Sequence, residues 1–210
     1  MRNMKEPRWL TRSRELQAIA QTGLTFTKDP YDRQRFERVR ELAAAIMADG
    51  GGENPETVLD LFRQDTGYPT PKVDVRGAAF IKGRILMVRE RNDRRWTLPG
   101  GWADVNQSAG ECVVREIAEE SGYQSRALKL AAVWEYGRQG HQPRHPASIY
   151  KMFFLCELTG GQARPSIETT EVGFFERTAL PELSRGRITP AQIDAMFEHA
   201  AQPQLPTAFD

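Results

Sequence analysis

The hydrophobic period changes once along the chain, at Tyr68-Pro69-Thr70-Pro71-Lys72. Before it, apolar residues recur every three or four positions; after it, they come in short runs bounded by turn residues. Proline fixes φ and lacks an N–H, so residues 68–72 read as a linker between a helical domain (1–67) and a second domain (73–210). In the first part, Trp9, Leu16, Ile19 and Ala20 share a helical face, and Gly23 sits where a stop belongs. Asp29-Pro30 pairs an N-cap with proline at the first helical position. It opens a helix on Phe36, Val39, Ala43, Ile46 and Met47 that Gly50-Gly51-Gly52 ends. Asn54-Pro55 repeats the start signal for Val58, Leu61 and Phe62, with Gly67 as the stop. Three short helices bury little alone, so they must pack on each other, on the rest of the chain or on a partner subunit.

Beyond the linker, residues 73–81 and 84–88 read as strands joined by a Lys82-Gly83 hairpin turn. Further strands are expected at 96–98, 128–136, 148–158 and 172–175, and a helix at 109–121. Thr189-Pro190-Ala191-Gln192 is a capping box with proline at N1, opening a last helix on Ile193, Met196, Phe197 and Ala200. The order β-β-β-α-β-β-β-α predicts an α/β protein of the α+β type, a mixed sheet with helices packed on it.

Composition narrows the function classes. Twenty-nine Lys+Arg against twenty-eight Asp+Glu leave a net charge of +1, balanced in each half, so no global field steers the chain to nucleic acid or to an anionic membrane. The longest apolar stretches, such as 130–134, are far short of the roughly 20 residues of a membrane span. The N-terminus lacks a signal-peptide apolar core, and two cysteines, Cys112 and Cys156, make no disulfide framework. A cytoplasmic protein is expected. With three histidines in the chain, any metal must be held by carboxylates.

The carboxylates are concentrated in one helix. Ser108 and Glu111 form a capping box, and Gly122 supplies the stop. With Val113, Val114, Ile117 and Ala118 facing a core, Glu116, Glu119 and Glu120 are expected on another face. Adjacent like charges repel, and a hard divalent cation would turn that repulsion into a site; Mg²⁺ is the first candidate and Mn²⁺ its substitute. Pro99-Gly100-Gly101, just ahead of the helix, has little side-chain bulk, so its backbone can approach a cation or phosphate closely.

These residues resemble the signature of the Nudix hydrolases: Gly, five residues, Glu, seven residues, Arg-Glu-U-x-Glu-Glu-x-Gly-U, with U a bulky aliphatic. Gly101, Arg115, Glu116, Ile117, Glu119, Glu120 and Gly122 fall in register without insertion, seven of nine positions. Gln107 stands at the first Glu and Tyr123 at the final aliphatic. The resemblance extends to the helical N-terminus, to 71–76, to Gly100-Gly101-Trp102-Ala103-Asp104-Val105 and to 166–175. These segments are similar to a bacterial branch that carries a helical domain ahead of the Nudix domain and hydrolyses nucleoside diphosphates linked to a second moiety, ADP-ribose or CDP-choline among them.

The resemblance implies an α/β/α sandwich with a mixed sheet behind the small all-helical domain. It implies a pyrophosphohydrolase that releases a nucleoside monophosphate and a phosphorylated X group, in a homodimer. By residue-wise transfer, Glu116 and Glu120 are metal ligands, Glu119 a ligand or a neighbour of the ligands, and the Gly100 carbonyl a backbone ligand. Glu119, Glu168 and Glu171 are the candidate general bases. Arg76, Arg89 and Gly101 are candidates for the phosphates, while Arg115 orients the helix carboxylates and Gln107 braces the loop by hydrogen bonding without charge. Trp96, Trp102, Tyr31 and Tyr68 could stack on a base or simply pack. His141 and His145, in a loop with Pro143 and Pro146, could line the X-group pocket or be plain loop residues. Two further readings stay open: a nucleoside triphosphate pyrophosphohydrolase, and a Nudix-type ligand sensor without catalysis.

Overall fold

In the computed structural model, which describes residues 6–210, the chain divides into two units at Pro71/Lys72. The short segment 145–148 groups with the helical unit. The first five residues of the expected helical domain lie outside the described residues.

The helical unit holds α1 (Arg8–Phe26), α2 (Pro30–Gly51) and α3 (Pro55–Gln64). Asp29 and Asn54 cap α2 and α3 as the Asp-Pro and Asn-Pro signals predict, and Gly52 ends α2 in the left-handed region. Gly23 does not stop α1, which runs three residues beyond it. A Cβ there would lie 2.4 Å from the Phe36 ring, so this glycine lets α1 and α2 approach. The expected face of α1 is also displaced. Ile19 is exposed, and the buried row is Leu10, Ser13, Gln17, Ala20, Gln21 and Leu24. Polar members of that row are used across helices: Ser13 donates to the Ala43 carbonyl, Gln17 to that of Phe62 and Gln21 to that of Gly67. In α3, Leu59 rather than Leu61 joins Val58 and Phe62 in the core.

The second unit is built on a seven-stranded mixed sheet of β1 (Lys72–Ile81), β2 (Arg84–Glu90), β3 (Trp96–Thr97), β4 (Tyr123–Glu135), β5 (Ile149–Gly161), β6 (Thr169–Phe175) and β7 (Ala208–Phe209). The order is β3-β2-β1-β5-β4-β7, with β6 paired to β2. β1 runs parallel to β5 and antiparallel to β2. The Lys82-Gly83 turn has positive φ at both residues, the geometry that follows the twist of a tight hairpin. Two helices complete the unit, α4 (Ala109–Ser121) and α5 (Pro190–Ala201). The strand at β7 and the early start of β4 at Tyr123 have no clear alternation in the sequence and were not expected.

Strand alternation sends neighbouring residues to opposite faces. Ala78, Ile85, Met87, Phe153 and Leu155 pack with Ile193 and Met196 of α5. Val75, Ala79, Leu86, Phe154 and Cys156 pack with Cys112, Val113 and Ile117 of α4. The result is an α/β/α sandwich. α4 lies close on β1, because a Cβ on Gly77 would stand 2.6 Å from Ile117 Cδ1.

Ile117 is fully buried under this contact. Ile117→Ala is expected to lower the free energy of unfolding by about 2–5 kcal/mol, read from urea denaturation.

Candidate active site

The site begins with a glycine that nothing else can replace. Residues 99–103 zip onto the start of β1: Gly77 donates to the Pro99 carbonyl, Val75 to that of Gly101, and Ala103 to that of Val73. The pairing skips the Gly100 carbonyl. Gly100 has φ +141°, and a Cβ on it would fall 2.0 Å from the Val75 carbonyl oxygen. Its N–H donates to Glu120 Oε2 at 2.8 Å, tying the loop to the last turn of α4.

The three helix carboxylates do not share one face, contrary to expectation. Glu120 lies on the buried side with Val113 and Ile117, seven and three residues away; Glu119 is exposed; Glu116 lies between them, half-buried. Burial dominates Glu120 and, with the nearby charges of Glu90 and Glu116, outweighs Arg76 and the Gly100 N–H, lifting its pKa to about 8. Burial also raises Glu116, partly opposed by Arg115. Gly101 flanks Glu116, since a Cβ there would sit 3.4 Å from its Oε2.

Arg115 gathers the rim. It pairs with Asp104 at 2.7 Å, Glu116 at 3.0 Å and Glu119 at 2.7 Å, and its Nε donates to Gln107 Oε1 at 3.2 Å. Gln107 also accepts from Cys112 Sγ, so the neutral side chain still links loop and helix. Glu111 is spent in the capping box with Ser108.

Arg76 is buried with all its donor nitrogens engaged. Nε and Nη2 meet the two oxygens of Asp74, and Nη1 donates to the Leu98 carbonyl. Instead of facing a ligand, it braces the strand end that leads into Gly100. Lys151 completes a buried triad on Asp74. Burial would raise Asp74, but Arg76 and Lys151 overcome it and hold the carboxyl below its usual range. Burial brings Lys151 down to about 8.

Arg89 and Glu171 face each other across the β2–β6 pair and are joined by an ion pair; Arg89 also donates to the Arg94 carbonyl. Glu168 is exposed, and its carboxylate has no hydrogen bond or ion pair among the described residues. It lies near enough to Glu116 and Glu90 for its charge to raise both.

His141 is neither a pocket liner nor a plain loop residue. It is buried and stacks on Tyr136 with centroids 4.3 Å apart. It lies 3.1 Å from the Arg185 carbonyl and 3.2 Å from the Gln192 amide, and burial lowers its pKa to about 3. A neutral ring that donates from Nδ1 and accepts at Nε2 satisfies both contacts. Sequence reasoning missed Glu90, Asp74, Lys151 and Arg187. Glu90 left one signal, a carboxylate two residues beyond the apolar run Ile85-Leu86-Met87-Val88.

Two family models match, one described as a UDP-X-like, N-terminal oligomerisation domain over residues 7–62 and one as the NUDIX domain over residues 71–197. The chain belongs to the Nudix hydrolases. This Nudix chain is 44% identical over 205 residues, 98% of each chain, to a Bacillus subtilis (strain 168) protein named "Putative ADP-ribose pyrophosphatase". It is 32% identical to a solved structure of a UDP-X diphosphatase, covering 99% of this chain and 100% of that one with a TM-score of 0.63. An ADP-ribose pyrophosphatase structure from Streptococcus suis 89-1591 is 40% identical, covering 67% of this chain and 100% of that one with a TM-score of 0.62.

Nudix hydrolases generally use a divalent metal, and the donor set here suits a hard cation. Glu120 is a buried carboxylate whose ionised form lacks enough positive charge, with Glu116 and the unpaired backbone carbonyl of Gly100 beside it. Among the described residues no three His, Cys, Asp or Glu side chains converge as a formed metal site. Glu119 is drawn outward to Arg115, which accounts for its absence from the set.

The sign of the Glu120 shift gives a test. Its unfolded carboxyl ionises near 4.5 and its folded one near 8, so between these values the folded state holds a proton the unfolded state has lost. This contribution to stability is complete at low pH and is lost as pH rises through about 8. Lys151, shifted from 10.5 to about 8, acts in the opposite sense but at higher pH. His141, brought from 6.5 to about 3 by burial, also opposes it, below about pH 6.5. In chelator, the melting temperature is therefore expected to fall between about pH 6.5 and pH 8, and Glu120→Gln to flatten that slope. An equal slope in the variant would assign it elsewhere.

Proposed function

We propose that the protein hydrolyses the pyrophosphate bond of a nucleoside diphosphate linked to a second moiety, with ADP-ribose as the first substrate and CDP-choline as the alternative. The supporting observation is the clasp of Gly100 on a buried Glu120 beside Glu116, in a chain related over its whole length to a protein named for ADP-ribose. Glu116, Glu120 and the Gly100 carbonyl would hold Mg²⁺, with Mn²⁺ as substitute. When bound, the cation supplies positive charge against the phosphate oxygens and acidifies water.

The chain's own residues do the rest. Water attacks one phosphorus, the bridging P–O bond breaks, and a nucleoside monophosphate and phosphorylated X leave. Three acids are available to take the water proton. Glu119 is engaged by Arg115 and Glu171 by Arg89, whereas the Glu168 carboxylate is unengaged and close to Glu116. Glu168 is therefore the general base in this reading. Gly101 leaves space beside Glu116 for a phosphate, and Arg115 keeps Glu116 oriented. We assign the chemistry to the unit from Lys72 onward, and assembly into a homodimer to the helices ahead of it. The free, buried cysteines suit a reducing cytoplasm, and no described helix is long and apolar enough to cross a membrane.

The deciding experiment compares ADP-ribose, CDP-choline, a UDP-sugar and a dNTP mixture with Mg²⁺, reading phosphate released by excess alkaline phosphatase for the first three, whose phosphates it cannot reach before cleavage, and pyrophosphate released without phosphatase for the dNTPs. ADP-ribose or CDP-choline is expected to turn over. Glu168→Gln is expected to lower kcat by about 10²–10⁴-fold, the usual scale of a lost general base. Turnover of dNTPs alone would replace the reading with pool cleaning, and silence on all four with a ligand sensor. Sedimentation at micromolar concentration is expected to give twice the chain mass of 23.8 kDa.

A further inference from the structure

An arginine that neither the signature nor the loop supplies stands next to this site. Arg187 lies just ahead of α5, in the turn 184–188 closed by bonds from its own N–H and that of Ile188 to the Ser184 carbonyl. That turn is pinned to β3, where Trp96 donates to the Glu182 carbonyl and Ser184 donates to the Trp96 carbonyl. The guanidinium is then fixed from two sides. Nε pairs with Glu90 at 3.0 Å, and Nη1 meets Asp93 Oδ2 at 3.4 Å and Ser184 Oγ at 3.1 Å. Ser184 itself donates to Asp93 at 2.6 Å. Nη2 has no partner among the described residues, and the side chain keeps 31% of its surface exposed.

The connection to Glu120 is short. Glu90 is opposite Thr169 in the β2–β6 register, and the Thr169 hydroxyl donates to the Glu120 carbonyl at 2.8 Å. Glu168 directly precedes Thr169. The charge of Glu90 is also felt at Arg76 and Glu120. Arg76 and Arg89, the arginines the sequence pointed to, are already committed to Asp74 and Glu171. That leaves a site for a doubly anionic ligand with one held, half-open guanidinium on its border.

We propose that Arg187 binds the diphosphate of the substrate through Nη2, and that Glu90, Asp93 and Ser184 are positioning residues that hold its fork in place. A long side chain held at Nε and Nη1 has surrendered its rotamer freedom before the ligand arrives, so the remaining donor binds with less entropic cost. The inference rests on the reading of this site as a nucleoside diphosphate site, but not on turnover.

The alternative role is a counter-ion for Glu90 alone. Lysine could fill that role; it could not present a fixed second nitrogen. The test measures ADP binding by calorimetry in Mg²⁺, which needs no hydrolysis, for wild type, Arg187→Lys and Arg187→Gln, with melting temperatures alongside. Arg187→Lys is expected to melt near wild type and bind ADP at least tenfold more weakly. With ADP-ribose as substrate, the same variant is expected to raise KM by a similar factor and change kcat less than threefold. Unchanged ADP affinity in folded Arg187→Lys overturns the proposal, as does a loss in Arg187→Gln that lysine fully restores. Should Arg187→Gln fail to fold, the lysine variant decides alone. Wild type that binds ADP without hydrolysing any substrate refutes the enzymatic reading and leaves this one standing; wild type that does not bind ADP overturns it.

Discussion

The Gly100 N–H bond to Glu120 is the contact on which the site depends. It requires a backbone at φ +141° where only glycine avoids the Val75 carbonyl, and it requires a carboxylate buried in the last turn of α4. Each condition draws in another part of the fold. The loop stays at that angle because it is hydrogen-bonded into β1 on both sides of Gly100. The helix stays close because Gly77 admits Ile117. The carboxylate tolerates burial because the positive charge of Arg76 is fixed under it by Asp74 and the Leu98 carbonyl.

Burying charge in this way is costly for stability and useful for binding. The Asp74–Arg76–Lys151 triad sets two cations against one carboxylate, so Asp74 is held ionised. Glu120 and Glu90 are not balanced to the same degree, and both lie above the usual carboxylate range. An excess of negative charge that the fold does not cancel is an attraction for a cation. A divalent ion held by Glu120 would compete with the proton for one carboxylate, so its affinity would rise with pH where the metal-free fold weakens.

Much of this was legible in the sequence, for identifiable reasons. Caps at Asp29, Asn54, Ser108 and Thr189 are local chemistry, and each starts its helix where expected. The Gly101-to-Gly122 spacing carries the family because a loop and one helix supply most of the site from one short stretch. What failed was anything set by packing between distant segments. Gly23 reads as a stop, yet its role is to admit Phe36 from the next helix. A helical wheel put Glu119 and Glu120 together, whereas the sheet beneath α4 separates them into a solvent face and a core face. Arg187 and Glu90 lie ninety-seven residues apart, and nothing in either local stretch announces the other.

Gln107 shows how the two kinds of information combine. By charge it departs from the signature, which raises the sensor reading. In three dimensions, its carbonyl oxygen still receives Arg115 Nε and the Cys112 thiol, and Asp104 adds the charge that glutamine lacks by pairing with the same guanidinium. In this arrangement a neutral acceptor, with an acid three residues earlier, meets the same Arg115 that pairs with Glu116 and Glu119. The substitution therefore removes a charge from one residue without removing it from the arginine that needs it. The departure belongs to the scaffold of the site, and Glu116, Glu120 and Glu168 keep the groups that the chemistry would use.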